Sequence, residues 1–313
     1  MGKNKCKISA CLIVKNEGKL IERCLRSVNR LADEVIVVDT GSIDNTIDLA
    51  AGLGARTYTF PWKDDFSAAR NYSLSKATGN WVIWLDADDV ISPADARKIR
   101  KLAEKAPRKA DGFMLPYFLG QNGKGKYTSK LYRLRIFRNG KNISFRYPIH
   151  EILGIGSLHT EYSDKAGICH MPPAGKKHSV RNLRILIASL LLPQYKNDLH
   201  LLFHLGKEYQ AFGETEKAIE IYKRCLKLSR LPSQKFLFNN RIASCFESMA
   251  KPGKMLKHAY MAFKADPSLP DSYIKISKYF NYKKNIKSAS FWRDIAYALP
   301  HKLSPDVMRI ASL

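Results

Sequence analysis

Within the first ninety residues short apolar runs alternate with helical patterns, and several of the runs end beside a carboxylate. Ile8–Val14, Glu34–Val38, Ala55–Phe60 and Trp81–Leu85 read as strands. Helical periodicity fills the intervals at about Lys19–Leu31, from an Asp44 or Asn45 cap to Leu53, and at Ser67–Ala77, with Gly54 suited to a helix C-terminus. Alternation of this kind specifies a mostly parallel sheet covered on both faces. Right-handed crossovers then bring the strand C-termini to one edge, where open α/β sheets bind ligands. Asp39, Asp65 and Asp86–Asp89 are expected along that edge.

The densest signal is Trp81-Val82-Ile83-Trp84-Leu85-Asp86-Ala87-Asp88-Asp89, a buried strand ending in three carboxylates within four positions. Like charges that close repel, and a divalent cation with oxygen ligands reverses the sign of that energy. The plainer reading is an acidic turn before the helix that follows Pro93. Asp39, ahead of Thr40-Gly41-Ser42, can accept from the N–H of a nucleotide base, or can belong to a simple turn with Asp44 as N-cap. Arg70 offers a forked cation to phosphate or to neighbouring carboxylates, or pairs on a helix surface with Asp64 or Asp65.

From Gly112 the pattern changes. Strands are expected at Phe113–Leu119 and Lys130–Phe137, joined by Gln121-Asn122-Gly123-Lys124-Gly125. Between Gly112 and His150 there is no acidic residue, while Lys124, Lys126, Lys130, Arg133, Arg135, Arg138, Lys141 and Arg146 are basic. Glu151 is the first acid after that stretch and is the candidate general base, with Asp89 as a rival; pairing with Arg146 or His150 is its structural alternative. Arg70, Arg133, Arg135 and Lys177 are candidate cations for a developing negative charge. Helix returns at about Lys177–Leu192. Leu202, Leu205, Gly206, Tyr209, Ala218, Tyr222 and Cys225 then fall at tetratricopeptide spacing, with looser copies through Asn239–Pro267 and Asp271–Leu299.

Composition narrows the class. The formal charge of the 313 residues is +25, which suits nucleic acid, an anionic membrane face or anionic substrates. Cysteines 6, 11, 24, 169, 225 and 245 form no Cys-x-x-Cys pair and suit a reducing compartment. The start does not follow a secretory pattern, and the apolar run at Ile185–Leu192 is too short to span a bilayer. A cytoplasmic chain is expected, with peripheral contact to an anionic inner membrane face left open.

Val14-Lys15-Asn16-Glu17, Val38-Asp39-Thr40-Gly41-Ser42-Ile43-Asp44-Asn45-Thr46, Asp65-Phe66-Ser67-Ala68-Ala69-Arg70-Asn71 and Trp84-Leu85-Asp86-Ala87-Asp88-Asp89 together resemble family 2 glycosyltransferases of the GT-A fold. The resemblance extends through Pro148-Ile149-His150-Glu151, Ile168-Cys169-His170 and Arg181-Asn182-Leu183 into the helical tail. It is similar to the subgroup with bacterial core-polysaccharide glucosyltransferases and bacteriocin S-glycosyltransferases. Ile43 stands where the family pattern has Thr, which puts one capping bond in question. The resemblance implies an α/β GT-A nucleotide-sugar domain over residues 1–175 and an all-α tetratricopeptide-like domain over 176–313. It implies an inverting hexosyltransferase using a nucleotide donor, with UDP expected, and Mn²⁺ or Mg²⁺. Asp39 is implied at the uracil, Asp86 near the ribose or sugar, Lys15, Asp65 and Arg70 among further donor contacts, and Asp88 and His170 at the metal or diphosphate. His170 read alone is a core histidine. The implied acceptor is a glycan, a lipid-linked sugar or a peptide, and the tail would hold that acceptor or a protein partner. The competing class is a non-catalytic scaffold or nucleic-acid binder, supported by charge and by Tyr117, Phe118, Tyr127 and Tyr132 among the cations. Retention of Asp39, Asp86, Asp88 and His170 together makes nucleic acid the weaker expectation.

Overall fold

The computed structural model describes residues 6–121, 127–154, 158–173 and 180–299. The chain forms two compact units, Met1–Lys176 and Lys177–Leu313. Most of the expected loop before Gly125, and the cations Lys124, Lys126 and Lys177, lie outside the described residues.

The first unit opens with strands β1 (Ile8–Val14), β2 (Glu34–Asp39), β3 (Arg56–Thr59) and β4 (Trp81–Leu85), separated by helices α1 (Ile21–Val28), α2 (Thr46–Gly52) and α3 (Phe66–Ser75). These four strands are parallel, in the order β3-β2-β1-β4. β4 shows why they must be covered twice. Trp81, Ile83 and Leu85 enter a core with Ile21 and Leu25 of α1, while Val82 and Trp84 enter a second core with Ile36, Val38 and Phe145. Alternate side chains of a strand face opposite ways, so a strand apolar at every position needs a layer on each side.

The chain continues through β5 (Asp89–Val90), α4 (Pro93–Glu104), β6 (Gly112–Gln121), β7 (Tyr127–Arg138), β8 (Ser144–Arg146), β9 (Ile152–Gly154), β10 (Thr160–Tyr162) and β11 (Ile168–His170). β7 inserts antiparallel between β4 and β6, and the sheet runs on through β11 to β5. The sheet is thus mixed yet mostly parallel. The antiparallel insertion has a functional consequence: the middle of the cation-rich β7 passes the carboxyl end of β4. Ile83 pairs Ile136, so Arg135 and Arg133 lie just beyond, level with Asp86.

The second unit is helical: α5 (Val180–Leu191), α6 (Leu199–Ala211), α7 (Thr215–Leu228), α8 (Pro232–Ser248), α9 (Pro252–Ala265), α10 (Pro270–Tyr282) and α11 (Ile286–Ala298). The pairs α6–α7, α8–α9 and α10–α11 each turn through a left-handed residue just past the first helix: Gly213 (φ 78°), Ala250 (φ 53°) and Lys284 (φ 58°). This recurrence marks three copies of one helix-pair unit. Pro at the first turn starts α8, α9 and α10, where its missing N–H costs nothing. In the first copy Gly206 lies against the fully buried Tyr222, whose ring leaves no room for a Cβ. No described helix is long and apolar enough to cross a membrane.

Two substitutions test this packing in opposite directions. Gly206→Ala forces a methyl into the Tyr222 ring and should destabilise the helical unit by about 1–3 kcal/mol. Lys284→Gly relieves a left-handed backbone and should stabilise it by up to about 1 kcal/mol. Urea unfolding followed by circular dichroism measures both.

Candidate functional site

The site grows from the carboxyl end of β4, and its three acids have different surroundings. Asp89 is fully buried. Its Oδ1 accepts from the Tyr117 hydroxyl at 2.7 Å, and its Oδ2 accepts from the Asp86 N–H at 2.9 Å and lies 3.2 Å from Arg135 Nη1. A carboxylate so committed cannot reach an acceptor, which removes Asp89 as the rival base. Asp86 is partly exposed. Its Oδ1 accepts from Arg70 Nη2 at 2.6 Å, and its Oδ2 lies 3.7 Å from Arg135 Nη2. Burial disfavours the Asp86 charge, but the guanidiniums of Arg70 and Arg135 outweigh it and hold the carboxyl well below the usual range. Asp88 lies 3.4 Å from His170 Nδ1.

Two arginines set this arrangement. Arg135, with no exposed surface, sits between the Trp84 ring (3.8 Å) and the Tyr117 ring (4.3 Å). Its Nε and Nη2 are buried without a hydrogen bond, so its charge is balanced by Asp86 and Asp89 and by the two rings. Arg70, 7% exposed, rests over Trp84 and Phe145 and bridges Asp86 to Glu151, whose Oε1 is 2.5 Å from Arg70 Nε. The carboxylates that Arg70 holds are therefore neither the nearby Asp64 nor Asp65. Glu151 pairs with Arg70, not with the adjacent Arg146 or His150.

The Asp65–Asn71 motif is a platform for the loop that carries Glu151. Asp65 caps α3, its Oδ1 accepting from the Ala68 N–H at 2.9 Å and the Ser67 hydroxyl at 2.8 Å. The Phe66 N–H donates to the Pro148 carbonyl at 2.7 Å. Asn71 exchanges two hydrogen bonds with the backbone of Phe145. One helix turn thus docks residues 145–151 beside β4. Asp65 itself is held in its capping bonds.

Asp39 ends β2 in a separate loop. Its carboxylate accepts from the N–H groups of Gly41 and Ser42 and from the Ser42 hydroxyl. Gly41 has φ 103°, a conformation glycine adopts without strain. Asn16 ties this loop to the end of β1, accepting from the Ile43 N–H at 2.8 Å. The backbone at Ile43 is thereby satisfied, and Asp44 supplies the local bond by accepting from the Thr46 N–H, so the missing Thr hydroxyl costs no cap. Lys15 is exposed beside Asn16.

His170 completes the edge. It pairs with Asp89 across β11 and β5, and its Nδ1 meets the Tyr117 hydroxyl at 2.8 Å. Hydrogen bonds to Asp88 and Asp89 outweigh burial and raise its pKa to about 9. One ligand atom from each of Asp88, Asp89 and His170 lies within 4.8 Å of the others. The donor set of carboxylate oxygen and imidazole nitrogen fits a divalent cation, with Asp88 and His170 the more accessible pair. Sequence reasoning missed Tyr117 as the hydroxyl that joins Asp89 to His170. It had ranked Tyr117 among base-stacking aromatics, but the ring is buried beneath Arg133 and Arg135. Phe118 and Tyr127 stack on each other, and Tyr132 bonds Asp164. Tyr117 is thus engaged within the protein, while Tyr127 remains exposed.

Residues 9–161, which lie within the first unit, match the model for glycosyl transferase family 2. A TPR repeat-containing protein of Synechococcus elongatus is 39% identical over 153 residues, which cover 49% of this chain and 37% of that protein. The SPbeta prophage-derived glycosyltransferase SunS of Bacillus subtilis is 28% identical over 243 residues, 70% of this chain and 53% of SunS. The chain thus spans roughly a third to a half of these relatives' lengths. Among solved structures, glucosyl-3-phosphoglycerate synthase from Mycobacterium tuberculosis, in complex with Mn²⁺, UDP and glucosyl-3-phosphoglycerate, overlaps 36% of this chain and 44% of that one at 25% identity and a TM-score of 0.31.

Arg70→Gln leaves two carboxylates facing each other without their bridge. It should lower the unfolding free energy of the first unit by about 3 kcal/mol. Arg70→Lys, which keeps the charge but loses the fork, should recover only part of that in the same denaturant titration.

Proposed function

We propose that the chain is a metal-dependent, inverting glycosyltransferase with a UDP-sugar donor and a hydroxyl or thiol acceptor on a glycan, lipid-linked sugar or peptide. The observation that carries this reading is the meeting, at one strand end, of a carboxylate–imidazole pair (Asp88 and His170) with a glutamate fixed by a guanidinium (Glu151 on Arg70). The first suits a divalent cation and the second suits a base.

Asp88 and His170 would hold the metal, and imidazole beside carboxylate favours Mn²⁺ over Mg²⁺, which prefers oxygen donors. Bound there, the ion would supply Lewis-acid neutralisation of the donor diphosphate. Glu151 takes the acceptor proton as the acceptor atom attacks the anomeric carbon from the face opposite the diphosphate. The bond to the leaving phosphate oxygen breaks, and its electron pair departs with UDP. Arg70 holds Glu151 in position and, committed to two carboxylates, is a poor choice for the diphosphate. Arg135 is buried. Arg133 is exposed, lies over the Tyr117 ring at 5.0 Å and forms no ion pair among the described residues, which makes it the candidate cation for the leaving group. Asp39 and Lys15 lie at the ends of β2 and β1, the side suited to the nucleoside.

The test is release of UDP from a panel of UDP-sugars with Mn²⁺ present, supported by a UDP- and GDP-sugar screen for thermal protection. Asp88→Ala should lower metal-dependent release at least a hundredfold, equivalent to about 2.7 kcal/mol. Unchanged release would remove the metal assignment. Glu151→Gln should keep UDP–Mn²⁺ binding by calorimetry while turnover falls by a similar factor. Loss of both together would instead make Glu151 a structural group.

A further inference from the structure

A second feature of the first unit lies away from the acidic edge. A cleft of about 730 Å³ opens between the C-terminal half of α4, the start of β6 and the segment around β10. Its floor is apolar, with the half-buried Leu102 and Ala106 and the buried Phe113. Its rim carries Lys98, Lys101, Lys105 and Lys165, all exposed. Phe113 stands six residues before Leu119, which pairs His170, so the cleft is about 20 Å along the strand from the proposed metal position.

The charges of this cleft do not cancel locally. Two acids face it, Glu161 and Asp164. Asp164 bonds Lys130 and Tyr132, and Glu161 lies 3.9 Å from His159. Lys98 pairs at 3.9 Å with Asp95. Lys101, Lys105 and Lys165 form no ion pair among the described residues. Lys98 to Lys105 spans about 10 Å of helix, a spread wider than one phosphate. Several spaced ammonium groups without carboxylate partners match a surface of anionic headgroups, and the recessed apolar floor leaves the rim as the contacting part.

We propose that this cleft docks the first unit on an anionic phospholipid surface, with Lys101, Lys105 and Lys165 contacting headgroup phosphates. The proposal is independent of the glycosyl-transfer reading, since no residue of the proposed site takes part. The full chain is sedimented with phosphatidylcholine vesicles and with vesicles in which about one lipid in three is phosphatidylglycerol. The expected result is binding to the anionic vesicles only. The triple variant Lys101→Glu, Lys105→Glu, Lys165→Glu should bind about a hundredfold more weakly, equivalent to about 2.7 kcal/mol over the three contacts. A charge-matched control, Lys257→Glu, Lys264→Glu, Lys287→Glu in the helical unit, should lose less than about threefold. Thermal unfolding of each variant establishes that it is folded, and the milder Lys→Gln triple at the cleft should show an intermediate loss. Equal losses in cleft and control variants would mean that net charge alone drives binding, overturning the proposal. So would thermal protection by soluble glycerol phosphate without any vesicle binding, which would make the cleft a small-anion site.

Discussion

Arg70 is the interaction on which the site depends. Its guanidinium joins a carboxylate at the end of β4 to one in a loop 81 residues later in the chain than Arg70 itself. A buried charge of this kind is costly to desolvate and is tolerated only because both carboxylates and two aromatic faces receive it. Removing Glu151 would therefore disturb Asp86, and removing Asp86 would disturb Glu151. Effects of substitutions around this bridge should be strongly non-additive, because the three charges behave as one unit.

The second arginine gives the edge its polarity. Arg135 anchors Asp89 inside the protein while Asp88, one residue earlier, faces His170. Neighbouring acids in the sequence, both buried, thus have different partners. One is a structural acceptor for Tyr117 and lies against Arg135, and the other has a histidine beside it. β7 supplies this because it runs antiparallel to β4, bringing alternate basic residues past the strand end. Arg135 points into the packed layer between Trp84 and Tyr117, and Arg133 stays exposed.

Much of the architecture was legible. β1 and β4 occupy the residues that their apolar runs delimit, because continuous apolar runs bounded by polar turns suit doubly covered strands. The left-handed Gly54 and the start of α4 at Pro93 followed from backbone chemistry alone. The helix pairs were visible in the Gly206–Tyr222 spacing, which reflects one close contact. What could not be read was which charge meets which. Arg70 looked like a phosphate cation because sequence shows its neighbours on α3 and hides Glu151. Asp88 and Asp89 look equivalent in the chain, and only the pairing of β5 with β11 separates them. The interleaved aromatics of β6 and β7 suggested an open platform, and only the layer above them shows that Tyr117 is covered.

The loop around Asp39 has a consequence for selectivity. A carboxylate offers about four acceptor directions, and three donors from its own turn already occupy this one. A ligand group arriving there meets room for about one hydrogen bond, on a side chain whose orientation is fixed beforehand. Under the proposed donor reading, recognition at that point would work as a one-bit test: a molecule presenting a single N–H would complete the shell, and one presenting an acceptor would leave two lone pairs opposed. Such a test imposes almost no reorganisation on the protein, and it rejects a mismatched ring more strongly than it rewards a matched one.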